Sequence, residues 1–590
     1  MTTITPEGPH EPGNRAPAKP SFRPGPVVPG TLTAVSQADQ SQKTQHAKNA
    51  EKGGPGRYPG APRPEQVRPT PLADLAEQLA TPVPAGASAV QVTGITHDSR
   101  AVRPGDIYAA LPGARLHGAD FVAQAADLGA AAILTDPSGA ERAAATGLPV
   151  LAVDNPRGRM GALAVSIYGA PGEDLLQIGI TGTSGKTTTA YLIEGGLRAA
   201  QAAEGGGGRR AGGLTGLIGT VETRIGDERI KSERTTPEAT DLQALFAVMR
   251  ERGVRAVAME VSSHALVLGR VDGCVFDVAI FNNLSPEHME FHSGMEDYFQ
   301  AKAQLFTRAR SRAGVVNIDD EYGRRLAAGE AEVPVTTFSA EGHPDADWRA
   351  GDVEVGTLGS TFTVHGPGGQ KVRAASPIAG PFNVANALAA IVSLVVAGID
   401  PQTAADGVAA VPGVPGRLER VDAGQPYLAV VDYAHKTDAV ESVLRALRKV
   451  TTGKLHAVLG CGGDRDPHKR APMGAAVARL ADTAILTSDN PRNEDPLAIL
   501  ATMLAGAAEV PVHERGTVLV EEERAAAIAA AVARAEPGDT VIVAGKGHEQ
   551  GQDIAGVVRP FDDRQVLRAA IESAMPAQKS QQSQQPNHQG

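Results

Sequence analysis

Residues 175–197 read LLQIGITGTSGKTTTAYLIEGGL. The apolar run Leu175–Ile180 predicts a strand. A glycine-containing turn follows, and then Lys186, Thr187 and Thr188. Ala190, Ile193 and Leu197, spaced i, i+3, i+7, give the next segment the single buried stripe of a helix. A strand that passes through a glycine-rich turn into a helix N-terminus presents backbone N–H groups and the positive end of a helix dipole to one point, which suits phosphate. Gly182, Thr183, Ser184, Gly185, Lys186, Thr187 and Thr188 are therefore the expected ATP-binding loop. Lys186 is expected to reach the β/γ-phosphates, and the Thr187 hydroxyl to ligate Mg²⁺. One departure is Ile180, where the strict G-x4-G-K-[ST] pattern has glycine.

A phosphate loop needs an acid to complete its metal site, normally at the end of a neighbouring strand. VRAVAMEVSSHAL (254–266) supplies one, because the run Ala256–Met259 delivers Glu260 to a strand terminus. Further on, FNNLSPEHMEFHSGMEDYFQAKAQLF (281–306) carries His288, His292 and Lys302. Taken alone, each is an ordinary surface or packed residue.

The rest of the chain bounds the reading. At 590 residues it is too long for one core. Its formal charge of −11 gives no electrostatic reason to expect nucleic-acid binding. The two cysteines, Cys274 and Cys461, offer no disulfide framework and suit a reducing compartment. No apolar run reaches the ~18 residues of a membrane span, and the N-terminus lacks a signal-peptide layout. A cytoplasmic protein without membrane insertion is expected. Residues 1–70, with stretches such as GNRAPAKPSFRPGPVVPG, and the tail 576–590 are too poor in periodic apolar residues to offset ordering entropy, and both are expected to be disordered. AAEGGGGRRAGG (202–213) reads as a flexible loop. Between these limits strands alternate with helical patterns, the signature of parallel α/β sheets. Expected domains are 71–171, 172–411 and 412–575.

In the last of these, LHAVLGCGGDRD, TAILTSDNPR and TVIVAGKGHEQ each run from an apolar strand into a polar loop. Helical patterns separate them, so the strands are expected to be parallel, with their loops on the ligand-binding edge of the sheet. Arg465, Arg492 and Glu549 should meet there. Guanidinium forks grip carboxylates and a carboxylate holds an ammonium, so the edge suits a zwitterionic amino acid.

The stretches TGTSGKTTT, TTPEAT, MEVSSHAL, NLSPEHMEFH, YFQAKAQLF, GPFNVANALAA and DYAHKTD, in this order, resemble the Mur ligase family, ATP-dependent amide-forming enzymes of peptidoglycan precursor synthesis. The resemblance spans most of residues 90–560. It implies an α/β, three-domain architecture with a central P-loop ATPase domain and a C-terminal Rossmann-like domain. It also implies addition of diaminopimelate to the D-glutamate γ-carboxylate of UDP-N-acetylmuramoyl-L-alanyl-D-glutamate through an acyl phosphate. Separately, a monomer is expected. By resemblance, Ser99 in HDSRAVRPGDIYAALPG contacts the UDP end, and Thr235, Thr236, Ser262 and Arg270 hold the muramoyl dipeptide. His288 ligates a second Mg²⁺, and Lys302 is carbamylated by CO₂ so that a cation becomes a metal-binding anion. Asn383 and Asn386 lie near adenine; Asp432, Tyr433 and His435 are hinge-side nucleotide contacts. In the family, D-N-P-R (Asp489, Asn490, Pro491, Arg492) marks diaminopimelate addition, with Arg465, Gly545 and Glu549 completing the amino-acid site. Leu268 stands where many members have a substrate-contacting glutamine, and Asn282 where threonine is frequent. Competing readings are a ligase adding lysine or another amino acid, a folylpolyglutamate synthetase, and a non-catalytic nucleotide-binding homologue. The last would not need Glu260, His288 and Lys302 together.

Overall fold

The computed structural model describes residues 60–202 and 214–575. The expectations for 1–59, 203–213 and 576–590 lie outside the described residues. The remainder of the supposed N-terminal disorder needs correction, because residues 60–70 pack. Arg63 Nη1 donates to Tyr168 Oη at 2.7 Å and lies 3.5 Å from Asp106. The backbone N–H groups of Glu65 and Gln66 donate to the Glu251 carboxylate. Thr70–Pro71 pairs with Gln91–Val92. Composition missed this anchor because it rests on partners 20 to 186 positions away.

Four short parallel strands form the first sheet: β1 (Gly94–Thr96), β2 (Asp106–Ala110), β3 (Ala132–Thr135) and β4 (Val150–Ala152). Their apolar faces and helix α1 (Arg157–Tyr168) share one core with Ala239, Ala244 and Ala247 of a later helix. The central sheet has eleven strands. Its parallel part follows the order β6 (Leu214–Ile218), β7 (Val254–Glu260), β5 (Leu176–Thr181), β8 (Phe276–Phe281), β9 (Ser311–Asn317), β10 (Val335–Ser339). Trp348–Val355 continues the parallel part beside β10, and antiparallel strands extend both ends, Glu222–Ile225 and Glu228–Lys231 on one side, Ser360–His365 and Lys371–Ser376 on the other. Helices α2 (Lys186–Ala202), α3 (Ala239–Glu251), α4 (Met295–Ala303) and α5 (Pro381–Val396) complete this region. Strand β5 starts and ends one residue later than expected, since Thr181 still pairs with Phe281. On α2 Ala190, Ile193 and Leu197 are buried as expected, but Tyr191, Leu192 and Glu194 are buried too, so the helix is enclosed on more than the single stripe its spacing predicts.

The third sheet is β11 (Leu428–Asp432), β15 (Thr540–Ala544), β12 (Leu455–Cys461), β13 (Thr483–Ser488), β14 (Thr517–Val520), all parallel, with Glu419–Arg420 antiparallel at the edge. Helices α6 (Arg524–Val532) and α7 (Asp563–Ala574) cover one face. Among the described residues no helix is long and apolar enough to cross a membrane.

Candidate active site

Strand order places the chemistry. Because β7 and β8 flank β5 in parallel register, their C-terminal ends open beside the loop that follows β5. Glu260 pairs with Ile180 and Phe281 with Thr181. Left-handed backbone at Gly185 (φ 84°) makes the turn, and a Cβ there would stand 2.2 Å from Asn386 Oδ1. The loop is also tied to the end of β8. Thr183 N donates to Asn283 O at 3.0 Å and Ser184 N to Asn283 Oδ1 at 2.9 Å. Asn282, where the family more often has threonine, donates through Nδ2 to Thr189 Oγ1 at 3.0 Å. Asn386 lies against Thr189 and donates to Asn383 Oδ1 at 2.9 Å. Both asparagines thus stand behind the phosphate loop, on the first turns of α5.

Lys186 Nζ bonds the carbonyls of Gly182 and Thr183 at 2.8 and 3.0 Å. Lys302, on α4, is 1% exposed and donates to the same Gly182 carbonyl at 2.9 Å, with its Nζ 4.5 Å above the Tyr298 ring. Burial, and then the Lys186 charge, hold the Lys302 amine well below the usual lysine range. Burial also lowers Lys186, against the attraction of Glu260. Glu260 is buried, with Oε1 accepting from Thr220 N at 2.8 Å and Oε2 from Thr220 Oγ1 at 3.1 Å. That hydroxyl lies 3.0 Å from Thr235 Oγ1. Thr236 Oγ1 donates to Glu260 O and accepts from Ser262 N, so the TTP stretch is pinned to the end of β7.

His288 sits at φ 58°, with Nε2 3.0 Å from Glu287 and its ring edge-on to His264. Burial comes first among the causes lowering its pKa, and the Lys186 and Lys302 charges add to it. His264 is pulled to about 4 by burial and by its histidine neighbours. His292 is used structurally, between Ser263 Oγ and Asp297. Arg270 Nε lies 2.9 Å from Glu238, which also pairs with Arg157 of α1. Ser262 caps a short helix through Ala265 N. Ser99 bonds Gln124 at 2.8 Å, within the first domain.

Among the described residues no group of three or more His, Cys, Asp or Glu side chains forms a metal cage. Mg²⁺ keeps several waters and takes one or two protein ligands plus phosphate oxygens. The donors fit. The Thr187 hydroxyl starts α2, and the Glu260 carboxylate ends the adjacent strand.

Arg417 was not anticipated. From the segment after α5 its Nη2 donates to Thr187 Oγ1 at 3.0 Å, and its guanidinium lies 4.7 Å from the centre of the Tyr433 ring. PGVPGRLERV reads as a turn-rich boundary, and no local signal announces a partner 230 positions away. Asp432 accepts from Leu418 N and Ala434 N, both at 2.7 Å, and His435 Nδ1 lies 2.8 Å from Tyr433 O.

In the third sheet β15, β12 and β13 are adjacent and parallel, so the three expected loops share one edge. Asn490 donates to Glu549 Oε2 at 2.8 Å. Gly545 has φ 113°, and a Cβ there would meet Asp489 Oδ2 at 2.6 Å. Pro491 is buried in the same turn. Arg492 sits at φ 51°, bridged through its backbone to Asp553 O and Ala555 N of the hairpin Gly551–Pro560. Its Nη1 donates to Gly463 O at 2.6 Å. Two other arginines of this region are already neutralised, Arg470 by Glu494 and Arg524 by Asp563. Arg492 bonds a neutral carbonyl, and among the described residues no carboxylate stands within ion-pair distance of it. Arg465 is exposed in the β12 loop, and its side chain and that of Arg492 both lie against Gly462, where a Cβ would stand 3.8 Å from Arg465 Cγ and 2.9 Å from Arg492 Nη1. Sequence reasoning missed Lys546 and Arg524. The first stands between two glycines in AGKGHEQ, which was itself a signal; the second lies on a helix with nothing to mark it.

The sequence matches the Mur ligase family catalytic domain over residues 91–168, the Mur ligase middle domain over 180–394 and the Mur ligase glutamate ligase domain over 416–547. It is 80% identical over 514 residues to the UDP-N-acetylmuramoyl-L-alanyl-D-glutamate--2,6-diaminopimelate ligase of Streptomyces coelicolor, covering 87% of this chain and 99% of that one. A solved structure of a ligase of that name is 31% identical, with a TM-score of 0.62 over 86% of this chain and 99% of its own. A Mycobacterium tuberculosis folylpolyglutamate synthase structure shares the fold alone, at 19% identity and a TM-score of 0.51, covering 66% of this chain and 92% of its own.

Proposed function

The chain belongs to the Mur ligase family, and on that premise we propose that it joins diaminopimelate to the D-glutamate γ-carboxylate of UDP-N-acetylmuramoyl-L-alanyl-D-glutamate, with ATP converted to ADP and phosphate, in peptidoglycan precursor synthesis. The observation that carries the choice of amino acid is Arg492, a half-buried guanidinium bonded to a neutral carbonyl at the ligand edge of the third sheet. Diaminopimelate has a carboxylate at its far end where lysine has none. A site that binds this group rejects lysine, because lysine leaves the guanidinium unpaired.

The reaction follows from the arrangement. The γ-carboxylate attacks the γ-phosphorus of ATP; the bond to ADP breaks and an acyl phosphate forms. Loop N–H groups, the α2 terminus and Lys186 hold the phosphates and offset their charge. The diaminopimelate amine then attacks the acyl carbon, the tetrahedral intermediate expels phosphate, and the nitrogen loses a proton. Mg²⁺, when bound, would supply further charge neutralisation at the phosphoryl group; Thr187 and Glu260 would hold one ion, and His288 with a carbamate on Lys302 a second. Lys302 suits carbamylation because its depressed pKa favours the neutral amine, the form whose lone pair attacks CO₂. Arg417 links the third domain to Thr187 and so couples domain position to the nucleotide site. The substrates are small molecules, and a cytoplasmic monomer with access to ATP suffices for the reaction.

A phosphate-release assay over a panel of amino acids tests this reading. Turnover should require ATP, the muramoyl dipeptide and diaminopimelate together. Equal turnover with lysine would overturn the amino-acid assignment, and glutamate-dependent turnover on a folate would favour the folylpolyglutamate alternative. ATP binding without turnover under any combination would leave a non-catalytic homologue.

A further inference from the structure

Lys546 is wholly buried at the amino-acid edge, and it faces the site residues without being exposed to the site. Its Nζ donates to Asn490 Oδ1 at 2.9 Å and to Glu549 Oε2 at 3.0 Å, and lies 4.0 Å from Asp489 Oδ1. Its position is built in by its neighbours. Gly545 and Gly547 on either side both have left-handed backbone, and a Cβ on Gly547 would stand 2.7 Å from Tyr433 Cβ. A buried ammonium is retained only where partners compensate it, and here the partners are the side chains expected to read the substrate.

We propose that Lys546 is a positioning and specificity-determining residue for diaminopimelate, acting through Asn490 and Glu549; this rests on the amino-acid site proposed above. Two effects follow. First, Asn490 Oδ1 accepts from both Lys546 and Asp553 N (3.0 Å), which turns the amide so that Nδ2 donates to Glu549. Both bonds to Glu549 fall on Oε2, and Oε1 receives no hydrogen bond from the described residues. One carboxylate oxygen is thereby held in place and the other kept for an ammonium. Second, Lys546 sets the local charge. Lys546 offsets one of the two negative charges of Asp489 and Glu549, so its loss makes this edge more negative by one unit. At neutral pH diaminopimelate has no net charge and lysine has +1. The native cluster therefore attracts lysine less than the uncompensated pair of carboxylates would.

The test uses the full chain with Lys546→Met, which keeps the stem and removes the charge, and Lys546→Arg, which restores it. Steady-state kinetics with diaminopimelate and with lysine are measured alongside ATP and muramoyl dipeptide. Lys546→Met should raise the KM for diaminopimelate about tenfold or more, the order expected for a buried charge-assisted bond. It should lower the diaminopimelate-to-lysine ratio of kcat/KM, and leave the other KM values and kcat at saturation within about twofold. Lys546→Arg should recover part of the ratio. A fall in kcat with all KM values unchanged, or an unaltered ratio in a folded Lys546→Met protein, overturns the proposal. If Lys546→Met does not fold, a ratio in Lys546→Arg equal to that of Lys546→Gln overturns it. Arg492→Ala, run in parallel, separates the two ideas. If it also leaves diaminopimelate kinetics unchanged, the site assignment itself has failed; if it alone changes them, only the role of Lys546 has.

Discussion

Lys186 and Lys302, 116 positions apart, donate to the same acceptor, the carbonyl of Gly182, at 2.8 and 2.9 Å. Two ammonium groups cannot be held so close inside a protein without loss of charge, and Lys302, the more enclosed, carries the larger depression. This has a measurable consequence for stability. Between the lowered folded-state value and the ordinary value near 10.5, the unfolded chain binds a proton at Lys302 that the folded chain does not. Stability should therefore rise with pH across that window, by up to about 1.4 kcal/mol per pH unit for this group. Denaturation of the wild type and of Lys302→Met from pH 7 upward, in CO₂-free buffer, checks it. The variant should lose about one proton of the slope, and equal slopes would contradict the assigned shift.

The same amine is the expected carbamate. Lys302→Ala should lower turnover by at least about 100-fold, the order seen when a group stabilising transition-state charge is removed. Added short carboxylic acids should partly restore it by supplying an anion beside the phosphates. Full activity in the unassisted variant would exclude a carbamate role.

Arg492→Ala should raise the KM for diaminopimelate roughly 30- to 1000-fold, the equivalent of about 2–4 kcal/mol for a charge-assisted bond. The KM values for ATP and muramoyl dipeptide should stay nearly constant. Alanine adds no backbone strain that arginine did not already bear at φ 51°. Discrimination against lysine should shrink too, and Arg492→Lys should rescue poorly for want of the two-pronged fork. A wild-type diaminopimelate-to-lysine ratio in the alanine variant would mean that the arginine only decorates a turn.

Arg524 and Asp563 form a fully buried bidentate pair, and the same guanidinium bonds Ser488 O and Ala544 O, the last residues of β13 and β15. Asp563→Ala should destabilise the third domain by about 3–5 kcal/mol, because it strands a buried charge. Arg524→Met combined with Asp563→Leu should cost less. The midpoints of chemical denaturation decide this; a double variant as unstable as the single one would show that the pair acts mainly through the strand-end carbonyls.

Two truncations separate the tail from the anchor. Deleting 1–59 should leave kcat/KM within about twofold, or roughly 0.4 kcal/mol, since that segment lacks the composition of a packed core. Deleting 1–70 should also remove Arg63 and leave the Asp106 carboxylate buried beside Tyr168, at a cost of about 1–3 kcal/mol. Equal thermal stability of the two proteins would show the anchor to be inert.

What the sequence determined by itself was local or periodic. The 3.6-residue stripe on α2, the glycine turn before Lys186, the strand that ends in Glu260 and the DNPR turn all lie within a dozen residues of their own cause. Their chemistry was legible because phosphate loops and strand-end carboxylates need particular residue types at short spacing. Only the tertiary structure decided what depends on strand order. It set Glu260 beside the loop after β5, aimed Lys302 at Gly182, brought Arg417 to Thr187 and buried Lys546 under Asn490 and Glu549. It also left Arg465 exposed and attached residues 60–70 to the first domain. The physical reason is that a side chain's pKa, burial and partner are properties of its surroundings. In a parallel sheet those surroundings come from segments up to hundreds of positions away, which no local pattern records.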